Sequence, residues 1–466
     1  MSFVSGAFLL FLPLATTAYW LCPARRRWIV LLAASLIFCL GWDGRCVVLL
    51  LGEITAAWLS CLIVERRKDK WLFALLVTVL FLPLFAYKYS YFVLDSLLSA
   101  TGWAREGLGL QPPQLPVGIS FYTFQAVSCV IDVYRGEQQA ERNWFRFALF
   151  VAFFPQLVAG PIERAGKLMP QLRAEKRFSF DDLCAGTRLV LAGFFQKVCV
   201  ADALAPYVDR IFSQQAPDGS IAALGAVLFA FQIYFDFAGY AAIALGSARM
   251  LGIRLTRNFQ SPYQACGMRD FWRRWHITLT RWFQAYVYRP LGGSRHGVGR
   301  QILASGMVFL LSGLWHGANW TFVCWGAFHA VYYALETMLR RGRKVEPQGW
   351  RKGAGIVLTF ALVCLSWILF RAESMTQAVV CYRAIFSPWH MKEALASAGV
   401  TGMMGVAWLL RIGAAMFIEP WAYGEKTMQS VQWSLAVGVL MLVSIAMCWL
   451  GHLSSGMHNA FIYFQF

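Results

Sequence analysis

Charge is what this sequence has least of. Asp, Glu, Lys and Arg make up 14% of the 466 residues, while 58% are hydrophobic. An average soluble chain carries about 25% charged residues, so an ordinary soluble globular protein is excluded. Stretches 28–42, 71–87, 353–370, 394–410 and 427–466 contain no charged side chain, and neither does 301–335. The last is long enough for two crossings at about 20 residues each. Acids are scarcer than bases, 24 against 42, which leaves a formal charge of +18. The surplus concentrates in short connections: Arg25-Arg26-Arg27, the run at 65–70, and Arg340-Arg341-Gly342-Arg343-Lys344. That is the distribution of cytoplasmic loops in a membrane protein, and it accounts for the charge without a nucleic-acid partner.

Other absences narrow the chemistry. The 12 cysteines include no C-x-x-C pair, so neither a disulfide framework nor a zinc site is expected. The sequence has no G-x-S-x-G elbow, no Walker loop and no Rossmann glycine pattern after a strand, which removes support for a covalent serine intermediate or a nucleotide motor. No repeat and no low-complexity linker divides the chain, so residues 1–466 read as one all-α polytopic domain of roughly ten to twelve spanning helices. The first 24 residues lack Lys and Arg, and Arg25-Arg26-Arg27 follows directly. A cleavable signal has its charge before the apolar core, so a retained first helix entering from outside is expected.

Along the chain, a fourth helix is expected to end near Tyr87-Lys88, with 89–115 as an external loop. LPVGISFYTFQAVSCVIDVYRG (115–136) is apolar but rich in Ser, Thr, Gln and aromatics, as a helix facing a polar cavity would be. In FVAFFPQLVAGPIER (150–164), Pro155 and Gly160-Pro161 break a helix. Basic loops flank it on both sides, so a re-entrant dip is expected there, sheltered by protein. A lone acid, Asp236, is buried in IYFDFAGYAAIALG.

Chemistry rests on histidines. His316 lies in LWHGANW, within the charge-free 301–335 stretch; Gly317 and Asn319 can open the backbone there, and Trp315 and Trp320 supply an apolar wall. Imidazole takes and returns a proton near neutral pH. His329 follows in WGAFHA. On one straight helix the two imidazoles would point about 220° apart, and with no H-x-x-x-H a metal site is not expected. His276 lies in RDFWRRWHI (269–277). Read as a helix, this segment pairs Asp270 with Arg274 and puts Trp272, His276 and Thr280 on one face. Arg273, Arg274 and Arg281 either bind an anionic group such as phosphate or snorkel from an amphipathic helix to the lipid interface.

The stretches LPVGISFYTFQ, VIDVYRG, FFPQLVAGPI, YFDFAGY, NFQSPY, FWRRWHITL, LWHGAN, WGAFH and the closing FIYFQF resemble the membrane-bound O-acyltransferase family. Within it the match is to the bacterial branch that O-acetylates exported polysaccharides such as alginate and cellulose. The motif-bearing core is about 115–375. The resemblance implies a helical funnel with re-entrant segments and a central tunnel, in the inner (cytoplasmic) membrane of a bacterium. It implies two catalytic positions, His316 as general base and His276, and supporting or donor-binding positions at Arg273, Arg274, Trp275, Trp315, Asn319, His329, Asp236 and Asn258. Asn319 would help to position the donor or stabilise the oxyanion. The sequence departs from the family at Ala238, Ala241 and Ala242, where serines and a second aspartate are usual, and at Ala330. These departures leave Asp236 as the local carboxylate.

The donor implied is a thioester, acetyl-CoA or another phosphopantetheine-type carrier, used as substrate with no bound cofactor. The partners implied are membrane lipid, a periplasmic acetyltransferase and polysaccharide synthesis and secretion proteins. Two other classes remain open from the residues alone: an acyl-group conduit or transporter, and a structural subunit of a synthase complex without its own chemistry.

The basic loops set the orientation. The N-terminus is expected in the periplasm and 65–70 and 340–352 in the cytoplasm, because Lys and Arg are retained inside. Single cysteines engineered into either loop should resist a membrane-impermeant thiol reagent in intact cells; strong labelling of either would reverse the orientation.

Overall fold

The computed structural model of the chain describes all residues except 102–112, 159, 341–347, 398, 425–430, 456–460 and 463–466. Part of the basic 340–352 loop and the last four residues of FIYFQF therefore lie outside the described residues. Those described form helices and connections, with no strand among them. Among the described residues, seven helices are long and apolar enough to cross a membrane, and Gly6–Leu21 and Val437–Leu450 are shorter apolar ones. The all-α polytopic class expected from the sequence is what the structure shows, and several further apolar runs form shorter or broken helices.

Contacts divide the chain into two compact units: Met1–Val190 with Ile243–Thr256, and Leu191–Ala242 with Arg257–Phe466. The first contains α1 (Gly6–Leu21), α2 (Arg27–Leu40), α3 (Gly44–Arg66), α4 (Lys70–Leu84), α5 (Ser90–Thr101), α6 (Ile119–Arg135), α7 (Trp144–Ala152), α8 (Phe154–Leu157) and α9 (Ala165–Arg173). The loop expected from residue 89 is a continuous helical path to Thr101: a π turn, Phe85–Tyr89, joins α4 to α5. The apolar spacing of SYFVLDSLL sustains the helix, and the first glycine after it is Gly102.

Helix α6 packs against α3, α4 and α7. Its residues 119–130 are all buried, and part of its polar surface is used in that packing. Gln125 Nε2 and Gln156 Nε2 both donate to the Phe150 carbonyl, at 2.9 and 2.6 Å. The 150–164 segment is broken as its prolines require. A nine-residue helix such as α7 rises about 14 Å, under half of the ~30 Å hydrocarbon layer. It turns at Phe153 and is buried through Val158.

Two elements run on through the boundary between the units: α10 (Phe180–Phe194), continued by a π segment, Phe195–Ala201, into α11 (Asp202–Phe212), and α12 (Gly219–Met250). The second unit adds α13 (Met268–Arg274), α14 (Ile277–Phe283), α15 (Gly297–His316), α16 (Trp320–Arg340), α17 (Trp350–Arg371), α18 (Met375–Ile385), α19 (Met391–Ser397), α20 (Gly402–Tyr423) and α21 (Val431–Ser455). Helices α15 and α16 form a tight hairpin. A Cβ at Gly313 would collide with the Phe322 carbonyl oxygen, and one at Gly326 with that of Phe309. Small residues of this kind let membrane helices approach backbone to backbone.

Lys197, on the π segment, is buried and lies 2.6 Å from Asp202 Oδ1 and 2.5 Å from Asp236 Oδ1. The other Asp236 oxygen accepts from Ile462 N at 2.9 Å. Asp236 thus binds a lysine and the chain's tail. A triad of this kind is held by mutual pairing, and removing one member leaves an uncompensated buried charge. Lys197→Met should cost about 3–5 kcal/mol, seen as a lower unfolding temperature and loss of the monodisperse peak in detergent. Arg142→Met, which breaks the exposed pair with Glu65, should cost under about 1 kcal/mol. Equal behaviour of the two variants would refute the structural role of the triad.

Candidate active site

The segment RDFWRRWHI is two helices. Helix α13 stops at Arg274, Trp275 is extended, and His276 has φ 42° and ψ 54° at the start of α14. It is one of two non-glycine residues with positive φ among those described. Left-handed backbone disfavours a side chain with a Cβ, although His tolerates it better than most. The single helix expected here does not form, and His276 leaves the face shared by Trp272.

Asn258 holds the break. Its backbone carbonyl accepts from Ile277 N at 2.9 Å, and its Oδ1 accepts from Thr278 N at 3.2 Å and Thr278 Oγ1 at 2.6 Å. The amides that α14 leaves open at its start are satisfied by a residue some twenty positions earlier. Asp270 and Arg274 do pair, at 2.9 Å, and the second Asp270 oxygen accepts from Cys266 N. Arg274 O accepts from Gln260 N at 3.0 Å. Arg274 is therefore fixed to the loop that carries Asn258. That loop is anchored again by Glu419, which accepts from Arg257 at 2.6 Å, from Ser261 N at 3.1 Å and from the Tyr234 hydroxyl. The sequence reading passed over Glu419, although a lone acid in an apolar helix is a signal by itself.

His316 ends α15, and the chain reverses over Gly317, Ala318 and Asn319 into α16. The straight-helix geometry assumed for His316 and His329 does not hold. They sit on opposite arms of the hairpin and both meet Trp325, with ring centres 5.1 and 4.8 Å away. His276 approaches from the α13–α14 break, its ring centre 6.5 Å from that of His316. All three imidazoles are buried. Burial pushes that of His276 down to about 3, so it is neutral at physiological pH.

Aromatic rings enclose the group. Trp315 lies 5.8 Å from His276 and 5.0 Å from His316, and Phe237 lies 4.7 Å from His276. Trp275 lies 5.0 Å from Trp367 with the rings tilted, and Trp367 stacks 5.9 Å from Trp325. Phe370 closes on His316 at 5.2 Å. The indole nitrogens of Trp272, Trp275, Trp325 and Trp367 are buried and meet no acceptor among the described residues. An unmet buried donor costs about 1–3 kcal/mol. Trp325, Trp367, Phe237 and Phe370 were not singled out in the sequence, because aromatic residues in apolar helices look like packing.

The other expected positions separate. Arg273 is exposed and makes no ion pair among the described residues. It lines a cavity of about 310 Å³ with Arg269, Trp272, Ser305, Ser312 and Tyr333. Trp272 and Phe309 line this cavity and also flank His329. Asn319 Nδ2 donates to Glu373 O at 3.0 Å and its Oδ1 accepts from Thr321 N at 3.1 Å, capping α16. Asp236 is engaged by Lys197, and His329 is packed among Phe271, Trp272, Phe309 and Trp325.

The model of the membrane-bound O-acyltransferase family matches residues 137–372. The chain is 39% identical over 402 residues to a probable alginate O-acetylase of Azotobacter vinelandii, covering 83% of this chain and 78% of the relative. It is 38% identical over 416 residues to that of Pseudomonas aeruginosa, covering 86% and 78%. Identity to a peptidoglycan O-acetyltransferase of Helicobacter pylori is 32% over 412 residues, covering 79% and 76%.

The cap at Asn258 is open to direct measurement. Asn258→Ala removes the acceptor for Thr278 and should destabilise by about 0.5–2 kcal/mol, as losing a helix cap does. Because Thr278→Val removes the other half of the same contact, the double variant should lose less than the two singles together. Thermal unfolding of the purified proteins gives the comparison; strictly additive losses would mean that the break is held by something else.

Proposed function

The chain belongs to the membrane-bound O-acyltransferase family, and from that premise we propose that it moves an acetyl group from a cytoplasmic thioester donor towards a hydroxyl acceptor of an exported polysaccharide. The observation that carries this reading is the pair of buried imidazoles, His276 and His316, brought to 6.5 Å by two separate helix breaks. His316 is the general base. It removes the proton of the acceptor hydroxyl as that oxygen attacks the thioester carbonyl, and the carbonyl oxygen takes up negative charge. The carbon–sulfur bond then breaks, the thiolate leaves, and the proton passes from His316 to the sulfur. His276 is the positioning and oxyanion-facing imidazole; neutral, it donates one hydrogen bond without bringing a charge. A single donor in this role is worth about 2.7–4 kcal/mol of barrier.

Arg273 and the 310 Å³ cavity beside it form the donor side. An exposed guanidinium at its edge suits the phosphates of acetyl-CoA or a phosphopantetheine carrier, and Ser305 and Ser312 on its wall suit the amides of the arm. Arg274, tied to Asp270, holds the loop and takes no part in donor binding. The protein is a multi-pass membrane protein, which in this reading resides in the bacterial inner membrane. The described connections are short, so a periplasmic acetyltransferase that holds the polymer completes the reaction. It works with the synthesis and secretion proteins that deliver the chain.

The test uses purified protein in nanodiscs, a radiolabelled acetyl thioester and a small hydroxyl acceptor. His316→Ala should remain folded and lose about 10²–10⁴-fold in transfer rate, the range for a missing general base. His329→Ala, which alters packing, should lose less. Unchanged transfer by His316→Ala would overturn the assignment.

A further inference from the structure

A second cavity lies in the first unit. It has a volume of about 240 Å³ and is lined by Arg25, Arg27, Arg146, Arg173 and Lys176 against two carboxylates, Glu141 and Glu175. At about 30 Å³ per water, it has room for a phosphate and its glycerol substituent. Nothing in the acyl-transfer reading uses it.

Its charges are not mutually cancelled. Glu141 is occupied: one oxygen pairs with Arg173 and the other accepts from Asn143 N at 2.9 Å. Arg27 is a structural member, donating to Cys22 O at 3.0 Å and to Lys176 O at 2.7 Å, with its guanidinium 4.7 Å over the Trp20 ring. These bonds bring the 22–27 and 173–177 loops together and fix the cavity's shape. Arg25, Arg146 and Lys176 then remain, with no ion pair to their side chains among the described residues, three cations against the one further carboxylate of Glu175. Burial and the Arg254 guanidinium hold the Lys176 ammonium below its ordinary value. An anion in the cavity would relieve that excess of positive charge.

Beside these cations the surface turns apolar. Leu21 is 81% exposed, Ile29 48% and Phe145 54%, and Trp28 lies on the cavity wall with its ring 6.4 Å from that of Phe145. Large exposed apolar side chains next to Trp and Arg are the pattern of a membrane interface. A ligand with an anionic head and an apolar tail satisfies both faces at once.

We infer that this cavity is a binding site for a phosphate-bearing anion, with Arg25, Arg146 and Lys176 as its cationic ligands. The phosphate of an anionic phospholipid headgroup and a free glycerol phosphate share this chemistry, and the exposed apolar rim favours the lipid. Three cations facing one phosphate favour an anionic headgroup over a zwitterionic one.

The experiment uses the full chain in neutral detergent, titrated with dioleoyl phosphatidylglycerol, dioleoyl phosphatidylcholine or sn-glycerol 3-phosphate. Binding is read by native mass spectrometry and by the thermal midpoint. Phosphatidylglycerol should bind and raise the midpoint, and phosphatidylcholine should not. The R25Q/R146Q/K176Q variant should need about tenfold more phosphatidylglycerol or lose the shift, whereas R66Q/R67Q/K70Q, with the same charge removed elsewhere, should respond as wild type. If the triple variant does not purify, Arg146→Gln alone should give a smaller loss of the same kind. Cavity-dependent binding of glycerol phosphate at similar concentrations would support the anion site and assign it a soluble occupant. Phosphatidylglycerol binding that is unchanged by the cavity substitutions, or equally reduced by the control, would overturn the site.

Discussion

A backbone that leaves helical geometry inside an apolar protein must find a partner for every N–H and C=O it releases, and between residues 258 and 280 one asparagine does much of this. Asn258 receives Ile277 N on its carbonyl and both Thr278 donors on its side chain. That lets α13 end and α14 begin anew with His276 between them in left-handed backbone. A continuous helix would have carried His276 a turn beyond Trp272, onto the Trp272 face. The break points it instead toward Phe237, Trp315 and His316. The loop that brings Asn258 there is tied down by Arg274 and by Glu419. The charges of RDFWRRWHI therefore divide: Asp270 and Arg274 secure the frame, and Arg273 remains open beside a cavity.

The hairpin of α15 and α16 is the second half of the same arrangement. Gly313 and Gly326 allow the two backbones to touch, and Gly317 leaves room for the Phe322 ring. This closeness is what lets two helices present His316 and His329 to one tryptophan. The rings around the histidines make the enclosure largely apolar, a setting in which any hydrogen bond is electrostatically stronger than in water.

Much of this was legible from residues. Low charge and long uncharged runs gave the polytopic helical class, the prolines of 150–164 gave the broken segment, and the spacing of Asp270 and Arg274 gave their pairing. The breaks at Trp275–His276 and at Gly317 were harder. Helical periodicity extends across RDFWRRWHI without a Gly or Pro, and the group that stops it, Asn258, is a tertiary partner. The contacts of Asn319 were equally out of reach of the sequence: its amide caps α16 and reaches Glu373, a contact that needs α17 in place. Helix α5 was missed because aromatic and Lys residues around 87–91 imitate an interfacial end, while a π turn in fact carries the helix through.

Asp236 shows why the proposed chemistry needs no carboxylate. It is the local carboxylate of its segment, and Lys197 and the amide of Ile462 occupy both of its oxygens. On the proposed mechanism this is no loss. The proton that His316 takes from a hydroxyl is the one the departing thiolate requires, so each turnover begins and ends with the same imidazole protonation state. No proton has to enter or leave the buried site, and no relay of acids through the protein is called for. A carboxylate beside His316 would instead hold the imidazolium too firmly and slow the return of the proton to sulfur. The enclosing rings do the opposite: they offer no negative charge, so the imidazolium has every reason to give its proton up.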